Sequence, residues 1–128
     1  MIVVDTNVMV YLLTGSGPGE EAARLLAGDP EWAAPPILLS ELRNVMVGLV
    51  RRGRIEVTDA AAICNDAETI LGERIASVPS EPVLETARSA GLSAYDAEFV
   101  VLARSLGVPL VTADGAILTG APDVGVAL

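Results

Sequence analysis

The chain opens with a short apolar run, Ile2-Val3-Val4, which ends at an acid. Consecutive apolar and mostly β-branched residues are typical of a strand that is buried on both faces of a sheet. Asp5 stands where this strand should end, and the next residues, Thr6 and Asn7, favour the start of a helix. Apolar positions at helical spacing continue over about 7–14. We therefore predict a buried strand over 2–4 that leads through an acid into a helix.

The remainder of the chain alternates between helix-like and strand-like patterns. Helices are predicted over about 20–27, 38–52, 59–75, 81–90 and 94–106, and strands over 32–34, 75–78, 108–111 and 124–126. Thr58 and Asp59 are expected to cap the helix that runs to about Ile75. Strands that alternate with helices favour a parallel sheet. With 128 residues, we expect one α/β domain over residues 1–128.

The composition argues against disorder, membrane insertion and secretion. Hydrophobic residues make up 52% of the chain, which is enough for a substantial core. No apolar run approaches the roughly 20 residues that a membrane helix needs. Asp5 interrupts the first apolar run and no basic segment precedes it, so a signal peptide is not expected. We expect a cytoplasmic protein with no membrane contact.

Charge and the missing residue types narrow the possible chemistry. The net charge of −9 argues, taken alone, against a nucleic-acid partner held by electrostatic attraction, and it favours a basic protein partner. All 8 basic residues are arginines, and only Arg51, Arg52 and Arg54 cluster. The chain has no histidine and a single cysteine, Cys64. These absences exclude Ser-His and Cys-His catalysis, a histidine-ligated zinc site and an intrachain disulfide.

Four acids stand out because they do not lie on solvated helix faces. Asp5 and Asp114 each follow a predicted strand, where an open α/β sheet binds its ligands. Asp96 falls on the apolar stripe of its helix, and Glu41 lies at the edge of the apolar face of another. Glu98 falls nearly opposite Asp96 on the same helix, so we set it aside.

Each of these acids also has a purely structural explanation. Asp5 could cap a helix, and Ser93 and Asp96 have the spacing of a capping box. Glu41 could complement a helix dipole, and Asp114 could belong to a turn. Gathered at one edge of a sheet, however, four carboxylates would repel each other unless a cation neutralised them. A site without histidine or cysteine would suit Mg²⁺ or Mn²⁺.

Taken in order, the motifs around these acids resemble those of a known family. The motifs are Val4-Asp5-Thr6-Asn7, Leu39-Ser40-Glu41, Ser93-Ala94-Tyr95-Asp96 and Leu110-Val111-Thr112-Ala113-Asp114. Together they resemble the PIN-domain ribonucleases, and in particular the VapC-type toxins of bacterial toxin–antitoxin systems. The resemblance covers nearly the whole chain. It implies a short central parallel sheet sandwiched by helices, a homodimer, and a cognate antitoxin that blocks the site.

The resemblance also implies roles for individual residues. Asp5, Glu41, Asp96 and Asp114 would be the catalytic acids of an RNA-cleaving site with one or two Mg²⁺ or Mn²⁺ ions. Of these, Asp5, Asp96 and Asp114 would bind metal, and Glu41 would orient or deprotonate the attacking water. Asn7 and Thr112 would hold the carboxylates in place. The expected activity is that of a metal-dependent endoribonuclease.

Two other functions remain open from the sequence. The chain could be an inactive PIN-like scaffold that only binds, although such a scaffold would not need four mutually repelling acids. It could also be an Asp-based phosphatase or phosphotransferase, because an aspartate after a buried strand can act as a nucleophile. The second aspartate usual in such enzymes is replaced by Asn7, which weakens that possibility.

Arg43 and the arginines of 51–54 are candidates for RNA contacts, and the apolar positions of the helical pair over 38–75 suggest a partner groove or a dimer seam.

Overall fold

A computed structural model describes all residues from 1 to 128. Its strands are β1 (Ile2–Val4), β2 (Trp32–Ala33), β3 (Leu110–Thr112) and β4 (Gly125–Ala127). Its helices are α1 (Thr6–Thr14), α2 (Gly19–Gly28), α3 (Ile37–Arg51), α4 (Val57–Leu71), α5 (Ser80–Ala90), α6 (Ala94–Leu106) and α7 (Gly115–Gly120). No helix combines the length and the hydropathy needed to traverse a lipid bilayer.

The strands form one parallel sheet in the order β2-β1-β3-β4, flanked by the helices. In the two central strands, Val3 is in register with Leu110 and Val4 with Val111. The predicted α/β fold with a short parallel sheet is therefore confirmed. Because β1 and β3 are neighbours and run the same way, the residues that follow them emerge at the same edge of the sheet. This topology brings the acids after the two strands towards each other.

Large apolar side chains from the sheet and the helices around it form the core. One cluster of 23 buried residues extends over β1, β2 and β3 and several helices, and Trp32, Phe99 and Leu38 within it are 0% exposed. The continuous apolar sequence of β1 is explained by this position, since Val3 and Val4 are both 0% exposed. The rigid core fixes the strand ends from which the candidate site is built.

The second helix of the α3–α4 pair differs at both ends from its predicted bounds. It starts at Val57 after an extended N-cap residue, Glu56, and no side chain caps it, so the prediction that Thr58 and Asp59 cap this helix was wrong. It ends at Leu71 because the next residue, Gly72, has a φ of 56° that breaks the helical path.

The predicted strands over 75–78 and 32–34 are shorter in the structure. Over residues 75–78, the only strand pairing is a single parallel bridge between Ile75 and Ala34. Pro35 follows Ala34 and has no N–H group to donate, so β2 cannot lengthen the pairing. The last strand, β4, lies one residue beyond its predicted bounds, and helix α7 was not predicted.

Candidate active site

The four acids singled out in the sequence line one cleft. Asp5 follows β1, Glu41 lies in the first turns of α3, Asp96 lies in the first turn of α6, and Asp114 is the N-cap residue of α7. The cleft has a volume of about 460 Å³ and is also lined by Thr6, Asn7, Ile37, Ser40, Asn44, Val45 and Tyr95. Residues that are far apart in the chain thus meet at the carboxyl edge of the sheet.

Asp5 is the most buried of these acids, with 7% of its surface exposed. Its backbone N–H donates to the carbonyl of Val111 at 3.1 Å, which fixes it against the end of β3. Its Oδ2 accepts a hydrogen bond from Thr112 Oγ1 at 2.6 Å. Burial raises the pKa of Asp5, and the charge of Asp114 raises it further, while the bonds from Thr112 and from the following backbone N–H groups partly offset the rise.

Glu41 is half-buried and is held by the residue next to Asp5 in the chain. Thr6 Oγ1 donates a hydrogen bond of 2.8 Å to Glu41 Oε1. Burial raises the pKa of Glu41, and the charges of Asp5, Asp96 and Glu98 act in the same direction, against the lowering effect of the bond from Thr6. A carboxylate with a raised pKa is better suited to accept a proton at neutral pH.

Asp96 and Asp114 have the structural roles expected of helix starts and also face the cleft. Ser93 Oγ accepts from the backbone N–H of Asp96 at 3.0 Å. Asp114 Oδ1 accepts from the N–H groups of Ala116 and Ile117 at 2.8 and 3.4 Å. Burial raises the pKa of Asp96, and the charges of Asp114 and Asp5 raise it further. The capping explanation and the place in the cleft therefore coexist.

Glu98 was set aside in the sequence, yet it lies close enough to Glu41 to raise the pKa of that group. Glu98 does not line the cleft, so its exclusion from the candidate site stays a prediction. In the structure, six residues of α6 are buried, at Ala97 and over 99–103, so they surround most of the helix. A helical projection with a single apolar face therefore describes α6 incompletely.

The cleft has the donors of a hard-cation site but not a finished coordination shell. Every acidic ligand candidate is a carboxylate, which suits Mg²⁺ or Mn²⁺. No basic side chain lines the cleft, so protein charges do not neutralise the buried acids. As they stand, the side chains form no group of three or more acids, histidines or cysteines placed to hold one ion. The chemistry of the residues fits a divalent cation that would have to draw the carboxylates together.

The arginines considered for RNA contacts lie elsewhere. Arg43 forms an ion pair with Glu68 at 3.5 Å and lines a groove between α3 and α4. Arg51, Arg52 and Arg54 are exposed at the end of α3 and do not reach the cleft.

We expect the buried charge of Asp5 to make stability depend on pH in the absence of divalent ions. The folded state raises the pKa of Asp5 above its ordinary value of 3.8, so its stabilising contribution is present at low pH and is lost as the pH rises through the folded pKa. Asp5→Asn removes this penalty. In urea denaturation with EDTA, the variant should gain stability over the wild type as the pH rises from below 3.8 until Asp5 is fully ionised in the folded state, and the difference should then stay constant. The exposed Asp66→Asn should show no such trend; a trend of the same size there would contradict the explanation.

A family model and several solved structures are similar to this chain. The family model described as PIN domain matches residues 2–119. No curated protein sequence matches the chain significantly. Among solved structures, PAE2754 from Pyrobaculum aerophilum is similar with a TM-score of 0.78 and 22% identity, over 97% of this chain and 81% of that one.

Two further solved structures have the same fold over nearly their whole length. A toxin-antitoxin complex from Klebsiella pneumoniae gives a TM-score of 0.67 and 22% identity, over 98% of this chain and 96% of that one. VapBC2 from Rickettsia felis, bound to a DNA fragment from its promoter, gives a TM-score of 0.64 and 17% identity, over 100% of this chain and 99% of that one. With a family model that spans most of its length and a PIN-like fold, this chain belongs to the PIN-domain family, whose members are generally nucleases.

Proposed function

We propose that the chain is a divalent-metal-dependent endoribonuclease that hydrolyses RNA phosphodiester bonds in the acidic cleft. The observation that carries the proposal is the meeting of Asp5, Glu41, Asp96 and Asp114 in one cleft that no basic residue lines. Membership of the PIN-domain family supports nuclease chemistry for these acids. An inactive scaffold would have no use for three acids whose pKa values are raised by burial.

Asp5, Asp96 and Asp114 are the residues that we assign to the metal. A bound Mg²⁺ or Mn²⁺ would supply a water of lowered pKa and stabilise charge on the phosphate oxygens. Thr112 would keep Asp5 oriented through its 2.6 Å hydrogen bond, and it also accepts from the N–H of Asp114 at 2.9 Å. One threonine thus connects the acids that follow the two central strands. Asn7, which lines the cleft and is exposed, is assigned to support the same carboxylates.

Glu41 is the residue that we assign to the attacking water. Its raised pKa favours uptake of a proton, and it lies among the other three acids in the cleft. The hydrogen bond from Thr6 occupies Oε1 and so directs the group, while no bond within the protein involves Oε2. In this arrangement Glu41 would orient the water and take its proton as the oxygen of the water bonds to phosphorus. The bond from phosphorus to the 3′-oxygen would break, and that oxygen would take up a proton from solvent and leave as a 3′-hydroxyl, with a 5′-phosphate on the other product.

We further propose that the chain is the toxin of a toxin–antitoxin pair and acts as a homodimer. Solved structures of similar fold include a toxin-antitoxin complex and VapBC2. The net charge of −9 would favour a basic partner. A groove of about 360 Å³ between α3 and α4 offers the partner an apolar surface, in which Val47 and Val57 are 38% and 67% exposed.

Expression in a bacterial host tests the toxin assignment. We expect the wild-type chain to arrest growth and Asp5→Asn to be harmless at the same protein level, because the arrest depends on RNA cleavage. Co-expression of the neighbouring reading frame should restore growth. Growth arrest by Asp5→Asn equal to that by the wild type would contradict the assignment, as would the absence of arrest by a wild-type chain shown to be folded.

A further inference from the structure

We propose that Tyr95 stacks on an unpaired nucleobase beside the cleaved phosphodiester, and that this contact selects single-stranded RNA. The inference rests on the proposed function and names the substrate form that the cleft would accept. The first observation is an aromatic side chain that is exposed, although aromatic side chains are usually buried. Tyr95 is 61% exposed, whereas Trp32 and Phe99 are 0% exposed and Tyr11 is half-buried.

Tyr95 lies next to the acids of the cleft. It precedes Asp96 in the first turn of α6 and lines the same cleft as Asp5 and Glu41. A phosphodiester placed at the carboxylates would therefore bring an adjoining base near the ring. Aromatic side chains at such positions bind bases through their faces, largely independently of base identity.

Long-range electrostatic attraction gives the cleft little help in holding RNA. The chain carries −9 overall, and the arginines lie outside the cleft. One divalent ion would not outweigh four carboxylates, so a polyanion gains little from long-range attraction. A bound ion would act only at the cleaved phosphate group, so further binding energy must come from contacts that do not depend on charge. Stacking on an exposed ring is such a contact, and it is available only to a base that is free of its duplex.

The other walls of the cleft suit a base. Ile37 and Val45 add half-buried apolar surface, and Asn44 presents an exposed side-chain amide. An amide both donates and accepts hydrogen bonds, as the edges of bases require. The cleft thus combines an acidic part for the phosphate group with an apolar and amide-bearing part for the base.

The test uses a short single strand that contains 2-aminopurine and has an uncharged methylphosphonate backbone, with EDTA present so that neither cleavage nor metal contributes. Stacking is expected to quench the fluorescence of the base. Tyr95→Ala should weaken binding by about 5- to 150-fold, the range that corresponds to loss of one base–aromatic stack. Tyr95→Phe keeps the ring and should bind as the wild type does. Leu84→Ala, which removes a side chain that is 64% exposed on α5, is the matched control.

Each outcome decides the inference. The inference is overturned if Tyr95→Ala binds as tightly as the wild type, or if Tyr95→Phe weakens binding as much as Tyr95→Ala does. It is also overturned if the wild type binds the annealed duplex with the same affinity as the single strand, or does not bind the single strand at all. Failure of the proposed function looks different. If binding depends on the ring but Mg²⁺ never gives Asp5-dependent cleavage of the ordinary RNA strand, the enzyme assignment fails while the stacking contact stands. Cleavage that needs Asp5 but is unchanged in Tyr95→Ala supports the enzyme assignment and overturns the stacking contact.

Discussion

Asp5→Asn is expected to lower the rate of RNA cleavage by about 10²- to 10³-fold, because a weakly held ion would no longer stabilise the charge that develops on the phosphate oxygens. The substitution keeps the shape of the side chain, and the amide oxygen can still accept the hydrogen bond from Thr112. What it removes is the negative charge at the most buried position of the cleft. Single-turnover cleavage of a labelled RNA strand measures the effect without interference from product release.

Loss of a negative charge inside the cleft, and not loss of negative charge elsewhere on the protein, should determine the result. Asp96→Asn should cause a loss of similar size, because Asp96 faces the same cleft. Asp66→Asn removes an exposed acid from α4 and should cleave at the wild-type rate. Wild-type rates in both Asp5→Asn and Asp96→Asn would exclude these residues from catalysis and leave the scaffold function as the explanation of the cleft.

Removal of divalent ions should abolish cleavage, with a fall of about 10³-fold or more, since a bound ion contributes several kcal/mol to stabilising the reacting charges. Added Mg²⁺ or Mn²⁺ should restore the rate. The same ions should raise the melting temperature of the protein, because a ligand that binds only the folded state stabilises it. A bound cation would also offset the burial and the repulsion that raise the pKa values of Asp5 and Asp96.

The variants separate a specific ion effect from general screening. In Asp5→Asn the rise in melting temperature with Mn²⁺ should be much smaller than in the wild type, and Na⁺ at equal ionic strength should not reproduce it. Full cleavage in EDTA would remove the ion from the mechanism, whatever the variants do.

The sheet and the meeting of the four acids in one cleft could be predicted because both follow from local patterns. An apolar run that ends at Asp5 and another that leads to Asp114 identify two buried strands with acids at their ends. Parallel pairing then places these acids at one edge without any further information. Ser93 and Gly107 bound α6 in the sequence as they do in the structure, because a side-chain cap and a left-handed glycine are strong local signals.

The features that the sequence did not reveal depend on tertiary context. Pro35 limits the pairing of Ala34 with Ile75 to a single bridge. The composition of residues 75–78 does not show that they lie next to a proline, so a longer strand was predicted there. The approach of Glu98 to Glu41 depends on how α6 is surrounded by its neighbours. The short helix α7 has only 6 residues, too few for a clear period. The structural alternative considered for Asp114 was a turn, whereas Asp114 caps this helix.

The most direct test of the account is a crystal structure of the protein soaked with Mn²⁺, with anomalous scattering used to locate the ion. We predict a peak in the cleft with carboxylate oxygens of Asp5 and Asp96 at about 2.0–2.3 Å and Asp114 contributing directly or through water. A peak that is lost in Asp5→Asn crystals under the same soak would confirm the assignment. Manganese bound only outside the cleft, or an empty cleft at millimolar Mn²⁺, would contradict it.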